Sequence, residues 1–190
     1  MYASIFRPGL FDGQTIMITG GGSGIGRCTA HELASLGAMV VITGRTVNKL
    51  QRTAEEIRAD GGRVTHNAFD IRDEDRVRSA VAAILDDHGH IDGLVNNAGG
   101  QFPMPAEAIG KKGWESVLAT NLTGGFLVSR EVYTQDMKSS GGVPSPGAPF
   151  ATRCSTGRTD ASRSSPTERS GRPSSRTWLR SRCCRPGRSP

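Results

Sequence analysis

Apolar and polar residues recur along the first 138 residues in two patterns. Short apolar runs, such as residues 15–19 and 38–43, are typical of strands buried on both faces of a parallel sheet. Longer segments with apolar residues at helical spacing follow these runs. The patterns predict alternating strands and helices, with strands at 15–19, 38–43, 63–69 and 91–95 and helices at 27–36, 47–60, 73–87 and 114–137.

This alternation favours an α/β fold of the Rossmann type, a doubly wound parallel sheet with helices on both faces. The predicted elements make up only the N-terminal half of such a sheet. Ligands bind these folds at the carboxyl ends of the strands. The segments that directly follow the predicted strands are therefore the places where function is expected.

The pattern ends near residue 142. In residues 139–190, Ser, Arg, Pro and Gly occupy 35 of 52 positions. Apolar residues there follow neither the strand period nor the helix period, and they are too sparse to offset the entropy of ordering the chain. We predict a folded domain over residues 1–142 and a disordered tail over residues 143–190.

The net charge of +6 is the sum of two segments with different charge balance, which meet where the apolar pattern ends. Residues 1–138 carry 14 Lys and Arg against 16 Asp and Glu, whereas residues 139–190 carry ten Arg and two acidic residues. The four cysteines have neither disulfide nor zinc spacing. The sequence shows no secretory signal, and no apolar run approaches the roughly 18 residues of a membrane span. We predict a cytoplasmic protein without a metal site or membrane association.

A glycine-rich stretch lies between the first predicted strand and the first predicted helix. Gly20 permits a tight turn, Gly24 lets the backbone approach a pyrophosphate, and Gly26 lets helix and strand pack closely. A nucleotide phosphate would bind at the N-terminus of that helix. The alternative is a purely structural turn, but the flanking strand and helix favour nucleotide binding.

Arg45 follows the second predicted strand. Rossmann folds that prefer NAD usually place Asp or Glu at this point to bond the ribose 2′-hydroxyl. An arginine instead offers a planar fork of donors to a 2′-phosphate. We therefore predict NADP rather than NAD as the cofactor; the alternative is that Arg45 is a solvated turn residue.

Polar segments also follow the third and fourth predicted strands. Asp70 and Ile71 are placed to bracket an adenine, although Asp70 could instead cap the next turn. Residues 96–99, Asn-Asn-Ala-Gly, follow the fourth strand. These segments, the glycine-rich stretch and Arg45 are expected to converge at one edge of the sheet.

These motifs, with Asn121 in Asn-Leu-Thr-Gly, resemble the short-chain dehydrogenase/reductase family over about residues 10–140. Residues 99–102, 112–114 and 121–124 are most similar to the branch of peroxisomal trans-2-enoyl-CoA reductase and 2,4-dienoyl-CoA reductase. The resemblance implies an NADP-dependent oxidoreductase, with an enoyl-CoA reductase as the narrower expectation. Its partners would be the dinucleotide and a small-molecule or acyl-CoA substrate.

The resemblance also implies roles for individual residues. The 2′-phosphate would contact Arg45, and the adenine would lie between Asp70 and Ile71. Asn121 matches the family's catalytic asparagine, which holds a water in the proton relay; its structural alternative is to kink the helix or bond a free carbonyl. The pyrophosphate would be held by Gly20, Ser23, Gly24, Ile25 and Gly26. The adenosine ribose and the nicotinamide side would be held by Asn97 and Gly99.

The family's proton-transfer residues have no counterpart in this sequence. Members of the family carry a Ser at the end of the next strand and a Tyr-x-x-x-Lys on the following helix, where Tyr transfers the proton and Lys lowers the Tyr pKa. The chain has only Tyr2 and Tyr133, and no lysine follows Lys138. The chain is therefore predicted to be inactive as it stands.

Two explanations account for the tail. The enrichment in Arg, Ser, Pro, Gly and Cys is what a GC-rich gene yields when it is read out of frame, which indicates a frameshift near codons 140–143. The alternative is a non-catalytic nucleotide-binding module whose basic tail binds RNA or another polyanion. The tail offers only Trp178 among Trp and Tyr residues for stacking on bases, and the arginines of the tail form no repeat. We therefore favour the frameshift and expect no nucleic-acid partner.

An interrupted fold has consequences for stability. We expect the last predicted strand to leave a sheet edge unpaired and apolar helix faces uncovered, which predicts a marginally stable, poorly soluble chain. Members of the family are often homo-oligomers, but this chain lacks much of the segment that would form the usual interface.

Overall fold

A computed structural model describes residues 4–139 and 150–152. Five strands form one sheet in these residues, in the order β3-β2-β1-β4-β5. The first four pair in parallel, which confirms the predicted Rossmann-type sheet, and β5 pairs antiparallel to β4. The strands are β1 (Thr15–Thr19), β2 (Met39–Gly44), β3 (Arg63–Ala68), β4 (Gly93–Val95) and β5 (Phe150–Thr152).

Helices connect the parallel strands as the sequence predicts. The prediction places each helix end within three residues of its observed position, counting the π-helical segments that continue α4 and α5 to Met137. The helices are α1 (Gly24–Ser35), α2 (Val47–Ala59), α3 (Glu74–His88), α4 (Lys111–Leu118) and α5 (Gly125–Val132).

The sheet is buried on both faces because alternate side chains of each strand enter different cores. Ile16 and Ile18 of β1 point into one apolar cluster, whereas Met17 between them points into the other. The first cluster is completed by α1 and α2, including Ala30, Leu50 and Ile57. The second is completed by α3 and α5, including Val77, Val81, Ile84, Val128 and Val132.

The helix predicted over 114–137 differs from the observed one in its start and in its regularity. It begins at Lys111, and the segments Ala119–Gly124 and Tyr133–Met137 are π-helical. The first of these π-helical segments contains Asn121, which is compatible with the predicted kink at that residue. Beyond it, Asp136 accepts a hydrogen bond from Ile91 N (2.8 Å), which ties the end of the helix to the start of β4.

A short strand, Phe150–Thr152, lies within the residues that we predicted to be disordered. This segment pairs with Gly93–Val95, so the edge of β4 that we expected to be open is occupied there. An unpaired strand edge offers free N–H and C=O groups to any extended segment, and Phe and Thr favour strands. The remainder of the predicted tail lies outside the described residues.

Candidate dinucleotide site

The turn from β1 into α1 adopts a conformation that requires glycine. Gly20 has φ +71° and Gly24 has φ +54°, both in the left-handed region that other residues avoid. A side-chain atom added at Gly24 would meet no described atom within 4 Å, so the backbone there is open to a ligand. The left-handed backbone explains why glycine occupies these two positions, and the role of Gly24 beside a pyrophosphate stays a prediction.

Gly26 is confined by its neighbours. A Cβ at this position would lie 2.5 Å from the carbonyl oxygen of Gly20 and would also collide with Nδ2 of Asn97. Both distances are shorter than a carbon atom can approach without displacement of the backbone. Gly26 therefore allows the first turn of α1 to lie directly against the glycine turn.

Thr19 and Asn97 join the glycine turn to the segment after β4. The Thr19 hydroxyl accepts hydrogen bonds from the backbone N–H groups of Asn97 and Ala98, each at 3.0 Å. In return, Asn97 Nδ2 donates to the carbonyl oxygens of Thr19 (2.9 Å) and Gly20 (3.3 Å). Sequence analysis did not single out Thr19, because the contacts that give it this role join residues 78 positions apart.

A groove with a cavity volume of about 360 Å³ runs along the carboxyl ends of the parallel strands. Eight of the predicted site residues line it: Gly20, Ser23, Ile25, Arg45, Asp70, Ile71, Asn97 and Gly99. Sequence analysis missed further lining residues, including Thr46, Lys49, Phe69 and Thr120. Gly24, Gly26 and Asn121 do not line the groove, although Gly26 and Asn121 support residues that do.

The two apolar residues of the predicted set occupy different environments. Ile25 is 80% exposed in the first turn of α1, so its side chain is free to cover a bound molecule. Ile71 is 5% exposed and packs in the core, where Gly124 allows its close approach. Ile71 therefore shapes the floor of the groove.

Asp70 is held by an arginine of the same loop. Its carboxylate accepts a hydrogen bond from Arg72 N (3.0 Å) and is bound by the Arg72 guanidinium at 2.6–3.1 Å. These side-chain hydrogen bonds, with the charge of Arg72 and a smaller effect of Arg45, hold the pKa of Asp70 below its usual value. Asp70 thus makes the turn that we considered as the alternative, and it lines the groove as well.

Asn121 bonds the backbone of the loop after β4. Its Oδ1 accepts from Gly100 N at 2.8 Å, and its Nδ2 donates to Gly100 O at 2.9 Å. Gly99 lies beside this pair, where a Cβ would come within 2.9 Å of Asn121 Oδ1. The predicted bond to a free carbonyl is therefore present, and the side-chain amide is used to position residues 99 and 100.

The short chain dehydrogenase family model matches residues 14–143, which contain every element that builds the groove. The chain belongs to this family. It spans about half the length of the curated relatives it matches. The match confirms the predicted family.

Three relatives illustrate the range of similarity. The structure of a citronellol catabolism dehydrogenase from Pseudomonas aeruginosa is 63% identical, with a TM-score of 0.69 and coverage of 72% of this chain and 56% of that one. A metagenomic short-chain oxidoreductase solved in complex with NADP is 36% identical, with a TM-score of 0.63 and coverage of 68% and 59%. A probable 2,4-dienoyl-CoA reductase of Bacillus subtilis is 33% identical over 140 residues, which are 73% of this chain and 55% of that protein.

In the part of the chain that the structure describes, no helix has the length and apolarity needed to cross a membrane. The same residues contain no group of three or more His, Cys, Asp or Glu side chains placed to hold a metal ion.

Proposed function

We propose that this chain is the cofactor-binding half of an NADP-dependent oxidoreductase. The observation that carries the proposal is the groove, which joins the glycine turn, Arg45 and the segment after β4 at one edge of a parallel sheet. A bound NADPH would supply the hydride. The chain's own residues would hold the pyrophosphate at α1 and the 2′-phosphate at Arg45, and would orient the nicotinamide side at Asn97 and Gly99.

The choice of NADP rests on the charge at the end of β2. Arg45 is exposed, lines the groove and makes no hydrogen bond or ion pair with another described residue. The carboxylate that would bond the 2′-hydroxyl of NAD is absent from this position in the sequence. Calorimetric titration of the full chain should show tighter binding of NADPH than of NADH, and Arg45→Gln should abolish most of that difference. Equal affinities in the wild-type chain would contradict the proposal.

Turnover would require residues that the sequence does not provide. In this chain no Tyr-x-x-x-Lys follows Asn121, so the proton that accompanies hydride transfer has no donor of the family type. The chain should therefore bind NADPH without oxidising it in the presence of an enoyl-CoA or an unsaturated terpenoid substrate. Absorbance at the nicotinamide band measures this directly, and sustained substrate-dependent oxidation would refute the proposal of an inactive chain.

The substrate of an intact relative remains a choice between two classes. The similarity of residues 99–102 and 112–114 to the enoyl-CoA reductase branch supports an acyl-CoA substrate. The 63% identity to a citronellol catabolism dehydrogenase supports an unsaturated terpenoid substrate related to citronellol, and we favour this class because the identity is far higher.

We further propose that the tail arises from a frameshift. The family match ends at residue 143, where the composition changes, which supports an interruption at that point. Resequencing the gene across codons 136–150 and translating every frame tests this. A second frame that continues into a strand, a Ser and a Tyr-x-x-x-Lys is expected. If no frame does so, and RNA binds tightly in a manner that needs residues 143–190, the module with a polyanion-binding tail is the better account.

A further inference from the structure

A second cation lines the groove beside Arg45. Lys49 lies in the first turn of α2, and it shares the groove wall with Gly22, Arg45 and Thr46. It lies close to the glycine turn, since a Cβ built at Gly22 would be 3.1 Å from Lys49 Cβ. The groove wall therefore brings Lys49 together with the glycine turn and with Arg45, the residue proposed to bind the 2′-phosphate.

The charge of Lys49 is not used within the described fold. Arg27, Arg52, Arg72, Arg78 and Arg130 are each paired with a carboxylate, whereas Lys49 makes no ion pair in residues 4–139. Unpaired cations occur elsewhere on the surface, but in that part of the chain Lys49 and Arg45 are the ones that line the groove. An unpaired cation that faces a groove is available to an anion bound in it.

The surroundings of Lys49 reinforce the positive potential. The first turn of α2 contains no acidic residue, and the side chain of its N-cap, Thr46, makes no capping hydrogen bond. Asp70 is the carboxylate that lines this groove, and the guanidinium of Arg72 already balances its charge. The balance of charge in this half of the groove is therefore positive, with contributions from Arg45 and Lys49.

We propose that Lys49 is a second determinant of NADP specificity, which binds the 2′-phosphate together with Arg45. This inference rests on the proposed function of the groove. Arg45 would supply a planar fork of donors, and Lys49 would supply a compact charge from the other side of the ribose. The specificity would then depend on two elements, the end of β2 and the first turn of α2. The identity of the single residue after β2 would not be enough to predict it.

The test is calorimetry on the full chain with ligands that differ only in the 2′-phosphate. Lys49→Gln should weaken binding of NADPH and of adenosine 2′,5′-bisphosphate by about fivefold, while binding of NADH and of adenosine 5′-phosphate changes by less than about twofold. Arg52→Gln is the matched control. This substitution removes a cation from the same helix, but the Arg52 side chain bonds Glu56 and does not line the groove. It should leave the ratio of NADPH affinity to NADH affinity unchanged.

The outcomes separate this inference from the function on which it rests. If the wild-type chain prefers NADPH and Lys49→Gln keeps that preference, Lys49 is not a determinant although the groove is an NADP site. Equal losses for NADPH and NADH would likewise overturn the inference. Lys49→Arg retains the charge and should keep the preference for NADPH over NADH. If a folded Lys49→Arg chain loses this preference, that result also contradicts the inference. If the wild type binds neither dinucleotide, the proposed function itself fails.

Discussion

At the scale of single residues, the groove depends on positions where backbone atoms approach too closely for a side chain. Gly26 is the clearest case, since a Cβ there would meet Gly20 O at 2.5 Å. The neighbouring atoms belong to the backbone and to Asn97, whose amide is fixed by Thr19 and Gly20. The collision cannot be relieved by rotation of a flexible side chain alone.

Gly26→Ala should therefore separate α1 from the glycine turn and remove NADPH binding. We expect at least a tenfold loss of affinity with a lower thermal midpoint, because overpacking costs typically 1–3 kcal/mol. Gly100→Ala is the control, since a Cβ at Gly100 would meet nothing within 4 Å. Titration and thermal melts of both variants measure this; an unchanged Gly26→Ala chain would show that the close packing is not required.

Asn121 provides the second residue-scale prediction. Asn121→Ala would leave Gly100 N–H and C=O to water, and the loop after β4 should become more mobile. Hydrogen exchange followed by mass spectrometry should show faster exchange in peptides covering residues 99–104, with the exchange of β1 unchanged. Unaltered exchange in the loop would mean that the amide contacts do not restrain it.

At the scale of elements, an ion network joins α3 to α5. The buried carboxylate of Glu131 accepts hydrogen bonds from Arg130 (2.8 and 3.2 Å) and from Gln135 (3.1 Å), and Arg130 also reaches Glu74 on α3 at 2.7 Å. The hydrogen bonds from Arg130, supported by Gln135 and the charge of Arg78, hold the pKa of Glu131 below its usual value. The network ties α5 to α3, and Asn96, which follows β4, donates from its Nδ2 to Ser129 Oγ of α5 at 2.7 Å.

The direction of this pKa shift predicts how stability depends on pH. Because the pKa of Glu131 is lower in the folded chain, its contribution is present above the unfolded pKa of about 4.3 and is lost as pH falls through the folded value. Glu131→Gln should lower the thermal midpoint by roughly 3 to 5 °C at pH 7. The gap between variant and wild type should narrow as pH falls below the unfolded pKa of about 4.3 and close once pH is below the folded pKa. A gap that stays constant with pH would contradict the assignment.

The sequence predicted the elements well where the period was strong. The strands at residues 15–19 and 38–43 and the amphipathic α2 and α3 were found because alternation and helical spacing are local signals. The contacts of Asn121 with Gly100 and of Asn97 with Thr19 were not predictable, since they join residues 21 and 78 positions apart. Lys49 was missed for a similar reason: only folding places the first turn of α2 on the groove.

At the scale of the whole molecule, the chain combines a family domain with a segment of different composition. The residues that line the groove all lie between Gly20 and Thr120, ahead of the change in composition at residues 139–143. Under the proposed function, cofactor binding would therefore not depend on the segment in which the family's Tyr-x-x-x-Lys was expected.

The most direct test of this account is hydrogen exchange of the full chain with and without saturating NADPH. We predict slower exchange in three separate stretches, residues 20–26, 45–49 and 97–100, and unchanged exchange in the carboxyl-terminal half of α3, which does not line the groove. Protection in all three would show that segments distant in sequence form one dinucleotide site. Exchange that NADPH leaves unchanged, or protection confined to residues 143–190, would contradict the central claim.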